Sequence, residues 1–171
     1  GQKILKTAVQ IYSENEGIKV RTNQLSDKGE FENFRKLKAD LVVVVAYGQI
    51  IPEIYLKNSN LIFLNVHASL LPKLRGAAPI ERAILNKEKE TGVSIKKIEK
   101  KLDAGPFIKQ VKVKINDDLT CGELTKELSF IGAEALKESI ELVSLGKAIF
   151  TKQNEEETTY AKKINKSETR I

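Results

Sequence analysis

The stretch LVVVVAYG, residues 41–48, decides the fold class of this chain. Four consecutive valines that run into a glycine are typical of a strand buried on both faces, as in a parallel sheet covered by helices. We therefore predict such a strand here. An α/β sheet of this kind also requires helices before and after the strand.

Helical patterns precede the valine run. Residues 4–17 (ILKTAVQIYSENEG) carry apolar residues at helical spacing and stop at Gly17, and residues 31–40 (FENFRKLKAD) repeat the pattern and lead directly into the strand. We predict a helix in each segment and a strand at residues 18–22 (IKVRT) between them.

Strands and helices alternate after the valine run as well. Residues 61–69 (LIFLNVHAS), 91–99 (TGVSIKKIE) and 106–115 (PFIKQVKVKI) have the composition of strands. Pro79 suits the first turn of a helix, and Thr120 and Glu123 predict a capping box that opens a long helix ending at Gly146. The alternation predicts an α/β fold with a Rossmann-like, mostly parallel sheet.

Composition limits the classes of function. The 171 residues are 41% hydrophobic and 30% charged, which is typical of one globular domain. The chain has 29 lysines and arginines and 23 aspartates and glutamates, so its net charge is 29 − 23 = +6. This positive charge favours an anionic partner such as nucleic acid or a phosphorylated ligand. The densest basic run, residues 96–101 (KKIEKK), is interpreted as a solvated strand end rather than an RNA contact.

Other classes are disfavoured by what the sequence lacks. No apolar run approaches the roughly 20 residues of a membrane span, so we expect a cytoplasmic protein with no membrane partner. No glycine-rich dinucleotide turn is present, which argues against a nicotinamide cofactor. Cys121 is the only cysteine, and we interpret it as structural. The chain starts at Gly1 and has no methionine, and we interpret it as a piece of a longer protein.

The only histidine lies in LNVHASLLPKLRGAAP, residues 64–79. A lone histidine is often a structural side chain, but here an unexplained asparagine precedes it in an apolar strand. Because side chains alternate along a strand, Asn65 and His67 point to the same side, and Ser69 follows them if the strand continues. Ligands of α/β sheets bind beyond the carboxyl ends of the strands. We therefore predict a pocket whose wall contains an amide and an imidazole.

Asp103 is the candidate acid or base partner of His67. It lies in LDAGP, residues 102–106, in the loop after the next predicted strand. An aspartate before Ala-Gly-Pro is also an ordinary turn residue. The combination with Asn65 and His67 favours a functional role, and predicts that the three side chains converge at one sheet edge.

These segments resemble the folate-dependent formyltransferases. The resemblance rests on residues 65–80 (NVHASLLPKLRGAAPI) and 90–106 (ETGVSIKKIEKKLDAGP), and it extends to residues 159–171 (TYAKKINKSETRI). The HASLLP and LDAG segments are shared across the superfamily, whereas RGAAPI and TYAKK are more typical of the branch that formylates methionyl-tRNA. Where that family often has methionines and a glycine, this chain has Lys96, Ile98 and Lys101.

The resemblance implies roles for particular residues. Asn65, His67 and Asp103 match the catalytic residues of the family, with no metal ion. The residues that match its folate-contacting segments are Ser69, Leu70, Leu71 and Pro72 after the histidine, Ala46, Tyr47, Gly48 and Ile50 after the valine strand, and Leu102, Ala104 and Gly105 around the aspartate.

The resemblance also implies substrates and domain organisation. The expected reaction moves a formyl group from 10-formyltetrahydrofolate to the α-amino group of initiator methionyl-tRNA, in the cytoplasm of a bacterium or in an organellar matrix. Residues 1–171 would form a catalytic domain truncated at both ends, without its N-terminal strands and without the C-terminal tRNA-binding domain. The first strand of that missing unit would lie beside the valine strand, which would otherwise be an exposed edge. The full-length protein is expected to be a monomer.

Two alternatives stay open. The same catalytic residues would serve a formyltransferase acting on an amino sugar nucleotide or on glycinamide ribonucleotide. The chain could also be an inactive remnant that keeps a folate pocket. Formylation assays with each amine separate the first alternative, and folate binding without transfer would identify the second.

Overall fold

The computed structural model describes residues 5–57 and 61–169, which form two compact units that divide between Lys38 and Ala39. The prediction that residues 1–171 form a single domain stays a prediction.

The first unit contains two helices, α1 (Ala8–Asn15) and α2 (Glu30–Lys36). The Thr7 hydroxyl caps α1 by accepting a hydrogen bond from the backbone of Gln10 at 3.1 Å, and Gly17 follows the helix with a φ of 69°. Both helices predicted here are therefore confirmed. The strand predicted at residues 18–22 is wrong, because these residues form no ladder with any strand in the described part of the chain.

The second unit contains the sheet and its helices. In chain order its elements are β1 (Leu41–Val45), α3 (Glu53–Leu56), β2 (Ile62–His67), β3 (Arg75–Gly76), α4 (Pro79–Leu85), β4 (Glu90–Lys97), β5 (Phe107–Lys114), α5 (Cys121–Ser144) and β6 (Tyr160–Ala161). Short 3-10 helices occupy Glu155–Glu157 and Lys166–Thr169. The predicted capping box is present, with reciprocal bonds between Thr120 and Glu123 at the start of α5.

The main sheet has the order β1-β2-β4-β5. The β1 and β2 strands are parallel, whereas β2 pairs antiparallel with β4 and β4 antiparallel with β5. The α/β class is confirmed, but the described sheet is mixed rather than mostly parallel. One physical reason is that residues 98–106, which join β4 to β5, are fewer than the dozen or so that a parallel crossover needs.

The two faces of this sheet have different environments. On one face, Leu64, Val93 and Ile95 form the buried core together with α5 residues such as Leu124 and Leu128. The side chains between them on β2 and β4 point to the other face, since a strand alternates. That second face carries the polar residues Asn65, His67, Ser94 and Lys96.

The valine strand is not buried on both faces, contrary to the prediction. Val43 is 39% exposed and Val45 is 56% exposed, whereas Val42 and Val44 are half-buried. Within the second unit β1 pairs only with β2, so its other edge has no partner among residues 39–57 and 61–169. The strand has the composition of a buried sheet strand but lies at the edge of this sheet.

Candidate active site

Asn65 and His67 lie near the carboxyl end of β2, two residues apart and on the same face. The Asn65 Nδ2 donates to the backbone oxygen of Val44 at 3.0 Å, which ties the amide to the neighbouring parallel strand. Among the described residues the second amide hydrogen of Asn65 has no protein acceptor, so it is available to a substrate oxygen.

His67 is buried, and its two ring nitrogens have different partners. Nε2 lies 2.9 Å from the backbone oxygen of Leu74, and since a carbonyl only accepts, Nε2 carries the hydrogen of this bond. Nδ1 lies 3.8 Å from Asp103 Oδ2, within ion-pair range but too far for a hydrogen bond. The Leu74 contact therefore fixes the tautomer, and Nδ1 is the nitrogen left to interact with a substrate.

The structure brings Asp103 to His67, but not by the route predicted. Because β4 runs antiparallel to β2, the loop after β4 starts at the far end of β2 and folds back over the polar face. Asp103 has a φ of 49°, a conformation that aspartate tolerates better than most residues. Its Oδ2 also accepts a hydrogen bond from the backbone of Gly76 at 2.9 Å. The trio of Asn65, His67 and Asp103 therefore lies on the sheet face beside β3.

Opposing effects set the protonation of His67. Burial lowers the pKa of the imidazole, and the Lys96 ammonium lowers it further, while the Asp103 carboxylate and the bond to Leu74 raise it. The net pKa lies below the ordinary value, so the contacts of the chain itself favour a neutral ring at neutral pH.

A clamp of three side chains holds the Asp103 loop, and sequence reasoning missed it. Gln153 Nε2 donates to the backbone oxygens of Asp103 at 2.8 Å and of Gly105 at 2.7 Å. Its Oε1 accepts from the Arg75 guanidinium, which is 0% exposed and also pairs with Glu155 at 2.8 Å. Arg75, followed by Lys101, holds the pKa of Glu155 at about 2, so Glu155 stays charged at neutral pH.

No local signal in the sequence identifies this clamp, because Arg75 and Gln153 are 78 positions apart. The RGAAPI segment, residues 75–80, is one of the segments that carry the resemblance. In the structure its first two residues support the loop that carries Asp103: the Arg75 guanidinium donates to Gln153, and the Gly76 N–H donates to Asp103.

The predicted folate-contacting residues fall into two groups. Ser69, Leu71 and Pro72 are buried, and the Ser69 hydroxyl donates to the backbone oxygen of Lys73 at 2.6 Å, while the Leu71 N–H donates to Ser94 at 3.0 Å. Their side chains present little surface to a ligand, although Leu70 beside them is half-buried. This segment therefore supports the site more than it lines it.

The other predicted contacts lie closer to solvent. Ile50 is 94% exposed and Leu102 is 62% exposed, Ala46 and Gly48 are exposed, and Tyr47 and Ala104 are half-buried. Gly105 is buried, and a Cβ there would lie 1.9 Å from the backbone oxygen of Lys97. Ile50 and Leu102 thus offer exposed apolar surface, and apolar side chains are common in the lining of small-molecule sites.

Comparison with known proteins defines the class. Residues 2–140 match the family described as formyl transferase, and the chain belongs to this family. Curated methionyl-tRNA formyltransferases are similar over nearly the whole chain. That of Pelagibacter ubique is 47% identical over 100% of this chain and 56% of its own length, and that of Dictyoglomus thermophilum is 46% identical over 98% and 54%. The chain thus spans about half the length of these relatives.

A solved structure agrees with the fold. The N-formyltransferase of Helicobacter canadensis, in complex with folinic acid and dTDP-3-aminofucose, superposes with a TM-score of 0.77 at 25% identity, covering 97% of this chain and 58% of its own. This similarity confirms the predicted Rossmann-like formyltransferase fold. In the described part of the chain, no helix has the length and apolar character needed to cross a membrane.

Proposed function

We propose that Asn65, His67 and Asp103 catalyse formyl transfer from 10-formyltetrahydrofolate to the α-amino group of initiator methionyl-tRNA in the full-length protein that contains this chain. The observation that carries the proposal is the polar cluster on one sheet face, in which Asp103 Oδ2 lies 3.8 Å from His67 Nδ1, in a chain of the formyl transferase family. The similarity to methionyl-tRNA formyltransferases supports the choice of acceptor.

The reaction needs stabilisation of a developing oxyanion. The amine nitrogen attacks the formyl carbon, a C–N bond forms, and the formyl oxygen becomes negatively charged. Asn65 has one amide hydrogen for this oxygen, and His67 can donate from Nδ1 when the ring is protonated. Each preorganised donor of this kind is typically worth roughly 3 kcal/mol of barrier. The negative charge on the oxygen adds to that of Asp103 and favours the protonated ring in the transition state.

Asp103 then handles the protons. The attacking nitrogen must lose a proton, and the Asp103 carboxylate can accept it directly or through one water molecule. When the tetrahedral species collapses, the bond from the formyl carbon to N10 of the folate breaks, and N10 takes the proton that Asp103 accepted. Asp103 is then a carboxylate again, and the formyl oxygen is again a neutral carbonyl oxygen. The mechanism uses neither a metal ion nor a covalent enzyme intermediate.

The remaining assignments extend the same proposal. The folate lies against the exposed residues after β1 and the Asp103 loop, with the Ser69–Pro72 segment as support. The full-length protein acts as a monomer, in the cytoplasm of a bacterium or in an organellar matrix, and binds the tRNA. The net charge of +6 is consistent with an RNA partner.

A sugar nucleotide is the alternative acceptor, because the structurally similar N-formyltransferase was solved with dTDP-3-aminofucose. The Asn, His and Asp residues cannot distinguish the acceptors, since the same chemistry serves any primary amine. The RGAAPI segment and the higher identity to the tRNA enzymes favour methionyl-tRNA.

Two measurements on the full-length protein test catalysis against mere binding. Calorimetry with tetrahydrofolate measures occupancy of the site, and a single-turnover reaction with labelled 10-formyltetrahydrofolate measures transfer to methionyl-tRNA. We expect both folate binding and transfer. Folate binding without transfer to any amine would identify an inactive remnant and contradict the proposal.

A further inference from the structure

Lys96 is a buried ionisable group in the site that the proposed chemistry does not use. It lies in β4 directly opposite Asn65 in the antiparallel register, so the two side chains share the polar face. The residue is 3% exposed, and its Nζ lies 3.2 Å from Asp103 Oδ1. Burying an ammonium group is unfavourable unless a partner compensates, and Asp103 is that partner.

The two oxygens of Asp103 are therefore held by different groups. Oδ1 contacts the Lys96 ammonium at 3.2 Å, while Oδ2 accepts the Gly76 N–H at 2.9 Å and faces His67 Nδ1 at 3.8 Å. Contacts at both oxygens fix the plane of the carboxylate as well as its position. The carboxylate is thus shared between the Lys96 amino group on one side and the His67 imidazole on the other.

Charged groups on neighbouring elements bias this cluster. Burial lowers the pKa of Lys96, while Asp103 raises it; the buried Arg75 on β3 lowers it, and Glu99 after β4 raises it. For His67 on β2 the charged neighbours are Asp103 and Lys96, which act in opposite directions. Lys96 thus stabilises the carboxylate and opposes protonation of the imidazole.

We propose that Lys96 is a positioning residue for formyl transfer, which orients the Asp103 carboxylate between β4 and His67 and sets the pH range in which the His67–Asp103 pair works. This inference rests on the proposed function, because it assigns Lys96 a role in that same reaction. Removing the ammonium group leaves Asp103 held at Oδ2 alone and removes a positive charge from the surroundings of His67.

The matched variants are Lys96→Met, which removes the charge at similar length, Lys96→Arg, which keeps the charge, and the control Lys97→Met. Lys97 is the next residue of β4 and points to the opposite face, so Lys97→Met removes the same charge from the same strand outside the cluster. Lys96→Gln provides a second uncharged variant if Lys96→Met does not fold.

The first readout is independent of catalysis. His67 is the only histidine of the 171 residues, so its imidazole signals identify themselves by NMR, and a His67→Gln variant identifies them in a longer protein. We expect the titration midpoint of His67 to move to higher pH in Lys96→Met and Lys96→Gln, and to stay unchanged in Lys96→Arg and Lys97→Met. An unchanged midpoint in a folded, uncharged Lys96 variant would overturn the proposal.

The second readout is the pH dependence of transfer to methionyl-tRNA by the full-length protein. If the protonated imidazole donates to the oxyanion, the alkaline limb moves to higher pH in Lys96→Met, and the ratio of the rate above the limb to the rate below it rises by roughly threefold or more. A uniform loss at every pH would indicate a merely structural lysine and overturn the proposal. If the wild-type protein transfers no formyl group, the proposed function fails, while the His67 titration still tests Lys96.

Discussion

We expect the buried His67 to make the stability of the protein depend on pH. The folded chain buries the imidazole and lowers its pKa, whereas the unfolded chain binds a proton near the ordinary value of 6.5. Below that value the unfolded state binds the proton more tightly than the folded state does. The free energy of unfolding should therefore fall as the pH drops through 6.5 toward the lowered pKa, and should gain nothing from this group above 6.5.

Urea unfolding at about pH 7.5 and about pH 5.5 measures this dependence. We expect the loss of unfolding free energy at the lower pH to be smaller in His67→Gln, which keeps an amide donor for the Leu74 oxygen but cannot titrate. The same loss in both proteins would show that the buried imidazole is not the group responsible.

Individual substitutions in the trio should separate turnover from binding. In the full-length protein His67→Ala and Asp103→Asn should each lower kcat by about two to four orders of magnitude, because in the proposed mechanism both groups act on charge that develops during transfer. The dissociation constant of the folate should change by less than about threefold. Near-normal turnover in either variant would remove that residue from the mechanism.

At the residue scale, the sequence predicts the candidate site best where polar side chains lie near the end of an apolar strand. Asn65 and His67 could be predicted as neighbours because strand alternation places them on one face. Asp103 could be predicted from its place in the loop after the next predicted strand, and the resemblance of that loop supported the prediction. The proposed role of Lys96 could not be predicted, because in the sequence Lys96 is only one residue of a basic run. The antiparallel register of the folded sheet places it opposite Asn65. Its burial is a property of the folded sheet and leaves no trace in local composition.

The loop that carries Asp103 is held by a side chain that is distant in sequence. Gln153 binds two of its backbone oxygens, so Gln153→Leu removes both donors at similar volume. We expect kcat/KM for formyl transfer to fall by roughly tenfold or more, because a displaced carboxylate no longer faces the reacting atoms. The control is Lys152→Ala, an exposed neighbour outside the clamp. Full activity of folded Gln153→Leu would show that the clamp is dispensable.

Two glycines offer a contrast in stability. A Cβ at Gly105 would lie 1.9 Å from the backbone oxygen of Lys97, whereas a Cβ at Gly122, in the first turn of α5, meets nothing within 4 Å. Gly105→Ala should lower the free energy of unfolding by at least about 1 kcal/mol, and Gly122→Ala should raise it by about 0.5–1 kcal/mol. Denaturant unfolding checks both, and a stable Gly105→Ala would show that the loop has room to move.

The strands themselves were easier to predict than their directions. Hydrophobic runs and the Thr120–Glu123 cap gave the positions of β1, β2, β4, β5 and α5, because these are local patterns. The relative direction of two strands depends on the connection between them. The short loop at residues 98–106 connects β4 to β5 as an antiparallel pair. The exposure of Val43 and Val45 also required the structure, since composition alone does not show whether a second neighbour covers a strand.

For the whole molecule, the unpaired edge of β1 is the main liability of residues 1–171 expressed alone. Val43 and Val45 are exposed beside free strand hydrogen-bonding groups within the second unit, and such an edge favours association between copies. We expect self-association by size-exclusion chromatography and a rate of methionyl-tRNA formylation far below that of the full-length protein at saturating folate donor. Excess tRNA should not restore the rate. Comparable rates would show that residues 1–171 hold the site unaided.

The most direct test measures which amine the full-length protein formylates. Methionyl-tRNA, an amino sugar nucleotide and glycinamide ribonucleotide are supplied separately at matched concentrations with labelled 10-formyltetrahydrofolate, and Asp103→Asn is the matched inactive control. The proposed function predicts rapid transfer to methionyl-tRNA, little to the two small amines, and loss of transfer in Asp103→Asn. Transfer to a small amine without transfer to methionyl-tRNA would contradict the proposed acceptor, and full transfer by Asp103→Asn would contradict the proposed site.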